Sequence, residues 1–498
     1  MMNDEGKSDR LVVPEKSPNK AERSAAEAVE GRSLAKGNMT QQNASRTQSR
    51  TSAPSALDRV RQAATRDKSA KFTALFHHVT IDRLRAAYLE IQKRAAPGVD
   101  GVTWAQYGVG LEDNLRDLHD RLHRGAYRAR PSRRVFIPKA DGRQRPLGIA
   151  SLEDKIVQRA VVEVLNAIYE ADFLGFSYGF RPMRSQHQAL DALYVGIVRK
   201  KVNYLLDADI RGFFDAIDHG WLLKFVEHRI ADARILRLIQ KWLAAGVMED
   251  GQWTASGQGT PQGATVSPLL ANVYLHYVLD LWVQQWRRRH ARGDVVIVRY
   301  ADDFVVGFQY HADATRFLVE LRDRLRRFML ELHPDKTRLI PFGLFAAQRR
   351  VERGLKGRPE TFNFLGFTHI CGKTRSGKFL LMRRTMRQRL RTKLRELKSA
   401  LMRRRHLPIP IQGKWLGSVV RGYFAYHGVP TNIQAMQAFR AQVERHWGHA
   451  LSRRSQRGRL NWATMHRLSQ RWIPAPKIVH PWPGDRFDVR TRGRSRVR

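Results

Sequence analysis

The stretch Val295-Val296-Ile297-Val298-Arg299-Tyr300-Ala301-Asp302-Asp303-Phe304-Val305-Val306-Gly307-Phe308 decides the fold. Two runs rich in β-branched and aromatic residues flank Ala-Asp-Asp. That pattern predicts two buried strands joined by a tight hairpin turn. Adjacent carboxylates at such a turn repel one another, and burial disfavours their ionised forms. A divalent cation with hard oxygen ligands relieves both problems, and Mg²⁺ suits them. A solvated surface turn is the plain alternative. The choice rests on whether the chain also supplies a third carboxylate, a nucleotide pocket and a nucleic-acid surface.

The rest of the chain bears on each. Its 498 residues exceed one hydrophobic core and predict two to four domains. A formal net charge of +43 argues for a polyanionic partner, nucleic acid first. No apolar run reaches membrane-spanning length, and the N-terminus lacks a signal-peptide pattern, so the expectation is no membrane partner and a bacterial cytoplasmic location. Cys371 is the only cysteine, which excludes internal disulfides and cysteine-built zinc sites.

Residues 1–68 hold no aromatic side chain and read as a mostly disordered extension, with a short helix allowed near Ala56–Lys68. Folded structure is expected from Phe72. Ile81, Leu84, Tyr88 and Ile91, then Leu111, Leu115, Leu118 and Leu122, step at helical spacing. Residues 133–149, RRVFIPKADGRQRPLGI, predict a β-hairpin with an Asp-Gly turn. Its Lys139, Arg143 and Arg145 would suit a triphosphate, Lys as a point charge and Arg as a fork. Further helices are expected over Lys155–Glu170, about Ser185–Lys200 and Ala314–Leu332. Tyr204-Leu205-Leu206-Asp207-Ala208-Asp209-Ile210 reads as a buried strand, and an Asp inside it needs a partner or a metal, which makes Asp209 the third carboxylate. Asp215 and Asp218 read as turn or cap residues. Gly257–Gly263 is a Gly-rich loop feeding an apolar helix, where backbone can approach a ligand closely.

In order, the strings APGVDG, RRVFIPKADGRQRPLGI, FSYGFRP, DIRGFFDAIDH, GTPQGATVSPLLANVYL, RYADDFVVGF, HPDKT and FNFLGF resemble the group II intron-encoded reverse transcriptases and maturases of bacteria. The resemblance runs from about Phe72 to the C-terminus. It implies an α+β right-hand polymerase, with fingers and palm over 69–370, an all-α thumb or maturase domain over 371–470, and a basic tail over 471–498. It further implies that Asp209, Asp302 and Asp303, with Ile210, hold two Mg²⁺ ions. Phe214 would exclude ribose 2′-hydroxyls. Lys139 and Arg145 would contact the incoming triphosphate, Pro261, Gln262 and Gly263 would line the nucleotide and template pocket, and Lys336 would sit at the nucleotide. The implied partners are group II intron RNA, an RNA template with a DNA primer, and deoxynucleoside triphosphates, with the protein a monomer or dimer. Cysteines of the family's endonuclease domain are missing, so no DNA cleavage and a borrowed primer are expected.

The last 128 residues carry 31 Lys and Arg against 4 Asp and Glu. Met386, Leu390, Leu394, Leu397 and Leu401 form one apolar stripe, and Ile433, Met436, Phe439, Val443, Trp447 and Leu451 another. These stripes predict helices sharing a core, with an Arg383–Arg405 helix turning its cations outward. The expected RNA contacts are Arg133, Arg134, Arg383, Arg384, Arg387, Arg391, Arg421, Tyr423 and Tyr426. Two other readings stay open: a retron, diversity-generating or defence-linked reverse transcriptase, and an RNA-binding splicing factor without polymerase activity.

Overall fold

Alternation along the buried strands dictates how the chain layers. The computed structural model describes residues 56–138, 144–249, 251–255, 257–260, 263–454 and 461–491. Its eleven strands are β1 (Ser132–Pro138), β2 (Gln144–Ile149), β3 (Tyr204–Asp209), β4 (Val247–Glu249), β5 (Gln252–Thr254), β6 (Val295–Tyr300), β7 (Asp303–Phe308), β8 (Arg338–Pro341), β9 (Phe362–Phe364), β10 (Phe367–Lys373) and β11 (Phe379–Thr385). They form three sheets, ordered β2-β1-β4-β5, β6-β7-β3-β8 and β11-β10-β9. Every pairing is antiparallel except β1 with β4.

The central sheet is β6-β7-β3-β8. Side chains alternate between faces of a strand. Leu206, Ala208, Ile297, Phe304, Val306 and Phe308 enter one core with the helices Leu152–Asp172, Ser267–Leu275 and His311–Arg326. Leu205, Val296, Val298 and Val305 face the other way, into a core with the Gln186–Arg199 helix and the β9-β10-β11 sheet. Asp207, Asp209 and Asp303 continue the rows of Leu205 and Val305 to the end of the sheet. The carboxylates therefore emerge on that second face by register alone.

Local sequence explains the flanking helices. Ser151 caps Leu152–Asp172, accepting from the Asp154 N–H. Ser185 and Gln188 form a capping box at the start of Gln186–Arg199. Asp218 caps His219–Glu227 through the Trp221 N–H, the structural role its spacing predicts. A third core is all helix: Arg387–Arg403, Ile409–His427, Ile433–Ser452 and Trp462–Trp472 bury Leu397, Leu401, Leu416, Phe439, Val443 and Trp447 together.

The short helix allowed near Ala56–Lys68 is present, while the start of folded structure and the junction after residue 370 fall elsewhere than expected. Ala56–Arg66 is a helix that packs on Leu152–Asp172 and buries Ala64, so the folded chain starts before residue 68. The Arg229 guanidinium fastens it by donating to the carbonyls of Ala64, Asp67 and Ala70. The junction placed after residue 370 falls inside β10, and the helical part begins at Arg387. Residues 1–55, the Asp-Gly hairpin turn with Lys139, the loop positions Pro261 and Gln262, and the last residues of the tail lie outside the described residues. Among the described residues, no helix is long and apolar enough to cross a membrane.

Candidate active site

The β6–β7 turn sits at one end of the central sheet, with Ala301 buried and Asp302 and Asp303 half-buried. Tyr300 pairs with Asp303, leaving Ala301 and Asp302 as the two turn residues. Asp303 in turn faces Asp209 across the β3–β7 pair. Side chains directly opposite in an antiparallel pair lie about 5 Å apart at Cβ. Asp209 and Asp303 are thus brought together from sequence positions far apart, with Asp302 beside them at the turn.

Electrostatics mark this end of the sheet. Burial, then the neighbouring charges of Asp302, Asp207 and Asp209, pushes the Asp303 carboxyl well above its ordinary range. Burial raises Asp302 as well, and the Asp209 charge adds to it, while Arg145 and Lys336 pull the other way. Asp207 is raised by burial and by Asp209, opposed by Arg338, whose Nη2 donates to Asp207 Oδ2 at 3.2 Å. Lys336 Nζ lies 2.5 Å from Asp209 Oδ2. Its turn is pinned there because the His333 N–H donates to the Asp209 carbonyl at 2.8 Å. Ile210 is buried and forms a bridge with Leu332. Crowded carboxylates seek cations, and at Asp209 the cation is an ammonium. No group of three or more His, Cys, Asp or Glu among the described residues makes a ready metal cage.

The approach to the carboxylates is built from two loops. Phe214 is half-buried and meets Phe180 edge-on at 6.4 Å and Phe213 at 5.4 Å. The Gly-rich loop docks on that turn: Gly259 N–H donates to the Ile217 carbonyl and Thr260 N–H to the Phe214 carbonyl, each at 2.8 Å. Gly259 has φ +84°, and a Cβ there would come within 3.0 Å of Asp215 Cα. Gly263, with φ +109°, ends the described part of the loop's return. Arg145 on β2 lies close enough to steady the Asp302 charge. Arg145 and Lys336 therefore border the carboxylates, while Phe214 and the Gly-rich loop are fastened to one another on the segment that follows β3.

The surface readings divide. Arg384, Arg387, Arg391 and Arg421 are exposed. Arg133 and Arg134 are half-buried; Arg133 donates to the Pro97 carbonyl and Arg134 lies 3.7 Å from Glu249. Arg383 is not on a helix and not outside: it lies on β11, 1% exposed, 3.5 Å from the buried Asp191. Tyr423 is also interior, stacked on Phe439 with centroids 3.7 Å apart. Tyr426 is half-buried and donates to the Leu365 carbonyl at 2.7 Å. An RNA surface is therefore expected of the exposed arginines and not of Arg383 or Tyr423.

Sequence reading missed two features. Arg389, at the start of the Arg387–Arg403 helix, lies over Gly366 and lowers the Asp303 carboxyl by its charge. Its place among many arginines hid it. Arg299, next to the Ala301-Asp302 turn, is wholly buried and holds both oxygens of Asp280. An arginine interrupting an apolar strand was the available signal, since a buried charge requires a partner.

Residues 137–369 match the family described as reverse transcriptase (RNA-dependent DNA polymerase). The chain is 36% identical over 288 residues to protein YkfC of Escherichia coli K12, covering 51% of this chain and 75% of that protein. It is 34% identical over 238 residues to the group II intron-encoded protein LtrA of Lactococcus lactis, covering 47% of this chain and 39% of LtrA. A 154-residue stretch is 44% identical to a 91 kDa protein in the cob intron of Schizosaccharomyces pombe, covering 31% of this chain and 19% of that one. With its carboxylate-bearing central sheet and these relatives, the chain belongs to the reverse transcriptase family and is similar to group II intron-encoded proteins.

Proposed function

We propose that this protein is an RNA-directed DNA polymerase that binds its own group II intron RNA, assists its splicing, and copies it into cDNA during retrotransposition. The observation that carries the polymerase reading is the register that sets Asp209 against Asp303 with Asp302 in the adjoining turn. Mg²⁺ fits this donor set: hard oxygens, crowded enough to raise two carboxyls, and one already holding a lysine cation. Magnesium takes most of its ligands from water and substrate phosphates, so one or two carboxylates suffice. Asp209 and Asp302 would hold the ions, with Asp303 and the Ile210 backbone beside them. Two such ions would stabilise the attacking and leaving oxygens of an in-line displacement at the α-phosphate.

The chain's own groups do the rest. Lys139 and Arg145 would bind the triphosphate. Phe214 would stand where a ribose 2′-hydroxyl would fall. Pro261, Gln262 and Gly263 would line the nucleotide. Lys336, already at the carboxylates, would be placed to give a proton to the departing pyrophosphate. The exposed Arg384, Arg387, Arg391 and Arg421 would bind intron RNA.

The decisive experiment is primer extension on an RNA template, paired with sequencing of the RNA that co-purifies from the native cell. Extension that Asp302→Asn removes, together with one dominant transcript spanning the reading frame, is the expected result. Extension with a diffuse RNA population would reject the maturase role and favour a defence-linked or domesticated enzyme. Unimpaired extension by Asp302→Asn would reject the catalytic assignment.

A further inference from the structure

Arg299 and Asp280 are both 0% exposed. Arg299 Nε and Nη2 donate to the two Asp280 oxygens at 2.7 and 2.6 Å. Its Nη1 donates to Asn272 Oδ1 and to the carbonyl of Ala301, both at 3.0 Å. Asn272 Nδ2 donates to the Gly179 carbonyl at 2.7 Å. Gly179 lies hard against the other side of the turn: a Cβ there would stand 2.3 Å from the Ala301 nitrogen and 2.9 Å from the Tyr300 carbonyl carbon. The backbone around Gly179 is itself laced to β6, with Tyr178 N–H donating to the Arg299 carbonyl and Arg299 N–H to the Phe176 carbonyl, each at 2.9 Å.

The residue enclosed in this way is Ala301. It has φ +58°, a left-handed conformation that residues other than glycine seldom adopt. Something outside the turn must hold it there. The helix that supplies the partners is irregular in a matching way. Ser267–Leu275 passes through a π turn, His276–Asp280, before continuing as Leu281–Arg289. In an unbroken α-helix, residues eight apart point about 80° away from each other. One inserted residue reduces that to about 20°, so Asn272 and Asp280 can grip the same guanidinium. An apolar core at this place would be no less stable, because desolvating an ion pair offsets most of its attraction.

We propose that Arg299 is a positioning residue: held by Asp280 and Asn272, it fixes the left-handed Ala301 and so aims Asp302 and Asp303. The inference rests on the polymerase reading. It is tested with Arg299→Lys, which keeps the charge and loses the fork, and with Asn272→Ala, which leaves the ion pair intact. Both are compared with wild type for thermal stability, template–primer binding, kcat and KM for deoxynucleotide. Amide hydrogen exchange of the peptide spanning 295–310 is followed without metal. The expected result, in protein folded at the assay temperature, is template–primer binding within twofold of wild type and KM within threefold. In the same protein kcat falls at least tenfold, and exchange across residues 300–303 quickens at least tenfold. Wild-type exchange and kcat in either folded variant would overturn the proposal, as would losses that only follow global stability. Should Arg299→Lys fail to fold, Asn272→Ala decides alone. A wild-type protein that extends no primer would reject the polymerase reading, and the exchange measurement would still judge whether the turn is held from below.

Discussion

The end of the central sheet and the faces of the C-terminal helices handle charge in opposite ways. At the sheet, Asp209, Asp302 and Asp303 are crowded and partly buried; backbone register fixes Asp209 and Asp303, and the tight turn between β6 and β7 fixes Asp302. On the C-terminal part, Arg384, Arg387, Arg391 and Arg421 are spread over exposed surface while Leu397, Leu401, Val443 and Trp447 do the packing. Chemistry at a single phosphorus needs atoms held in place. Attraction to a long polyanion needs charge density and tolerates its redistribution. The first region should therefore fail on one substitution, and the second should degrade by degrees.

The sharpest way to break this contrast is Asp302→Asn. DNA synthesis is expected to fall on the order of 10³-fold, with RNA affinity unchanged, when extension and filter binding are measured on the same preparation. Next comes Phe214→Ala. Discrimination against ribonucleotides is expected to relax by roughly 10²-fold in competition assays, and unaltered sugar selection would show that Phe214 only packs against Phe180 and Phe213. Smaller is the effect of replacing Arg384, Arg387 and Arg391 together with Ala. RNA affinity is expected to drop about tenfold at moderate salt, and the slope of log affinity against log salt to flatten by about 2 to 3. An unchanged slope would remove these arginines from the RNA surface.

The smallest effect concerns stability. Burial and like charges raise the Asp303 carboxyl in the folded protein above its unfolded value. Folding then takes up protons, so wild type is relatively stable below the unfolded value of about 4 and loses that stability as pH rises toward the folded one. At neutral pH without metal, Asp303→Asn should melt about 2–4 °C higher than wild type, and the gap should close as pH falls through the carboxylate range. A gap independent of pH would mean that packing, not charge, is responsible.

Much of the catalytic end was legible because period-two alternation fixes which side chains share a face. Once Val295–Val298 and Phe304–Phe308 are strands, Asp303 must join the row of Val305. The error at Arg383 came from reading a helix from Arg383 where this strand alternation holds. Phe379 to Thr385 alternates inward at Leu381, Arg383 and Thr385, yet the arginines there resemble the start of the following helix. Tyr423 was misplaced because its Arg-Gly-aromatic pattern does not say which face is core, whereas the partner helix, bringing Phe439, does. The partners of Arg299 were invisible for a different reason, although the arginine itself stood out in its apolar strand. Their contact depends on a π turn, and nothing in local propensity marks an inserted residue.

The short contact between Lys336 and Asp209 has a consequence for how the site is loaded. A carboxylate oxygen engaged by an ammonium is closed to another cation until the lysine swings aside. Under the proposed metal-dependent reaction, apparent metal affinity would be an exchange constant, in which a tethered ligand competes at high local concentration. Such a site would resist trace ions when substrate is absent and would open when an incoming triphosphate offered the lysine a richer set of oxygens. On that reading the chain would carry its own plug, and the substrate would draw it out.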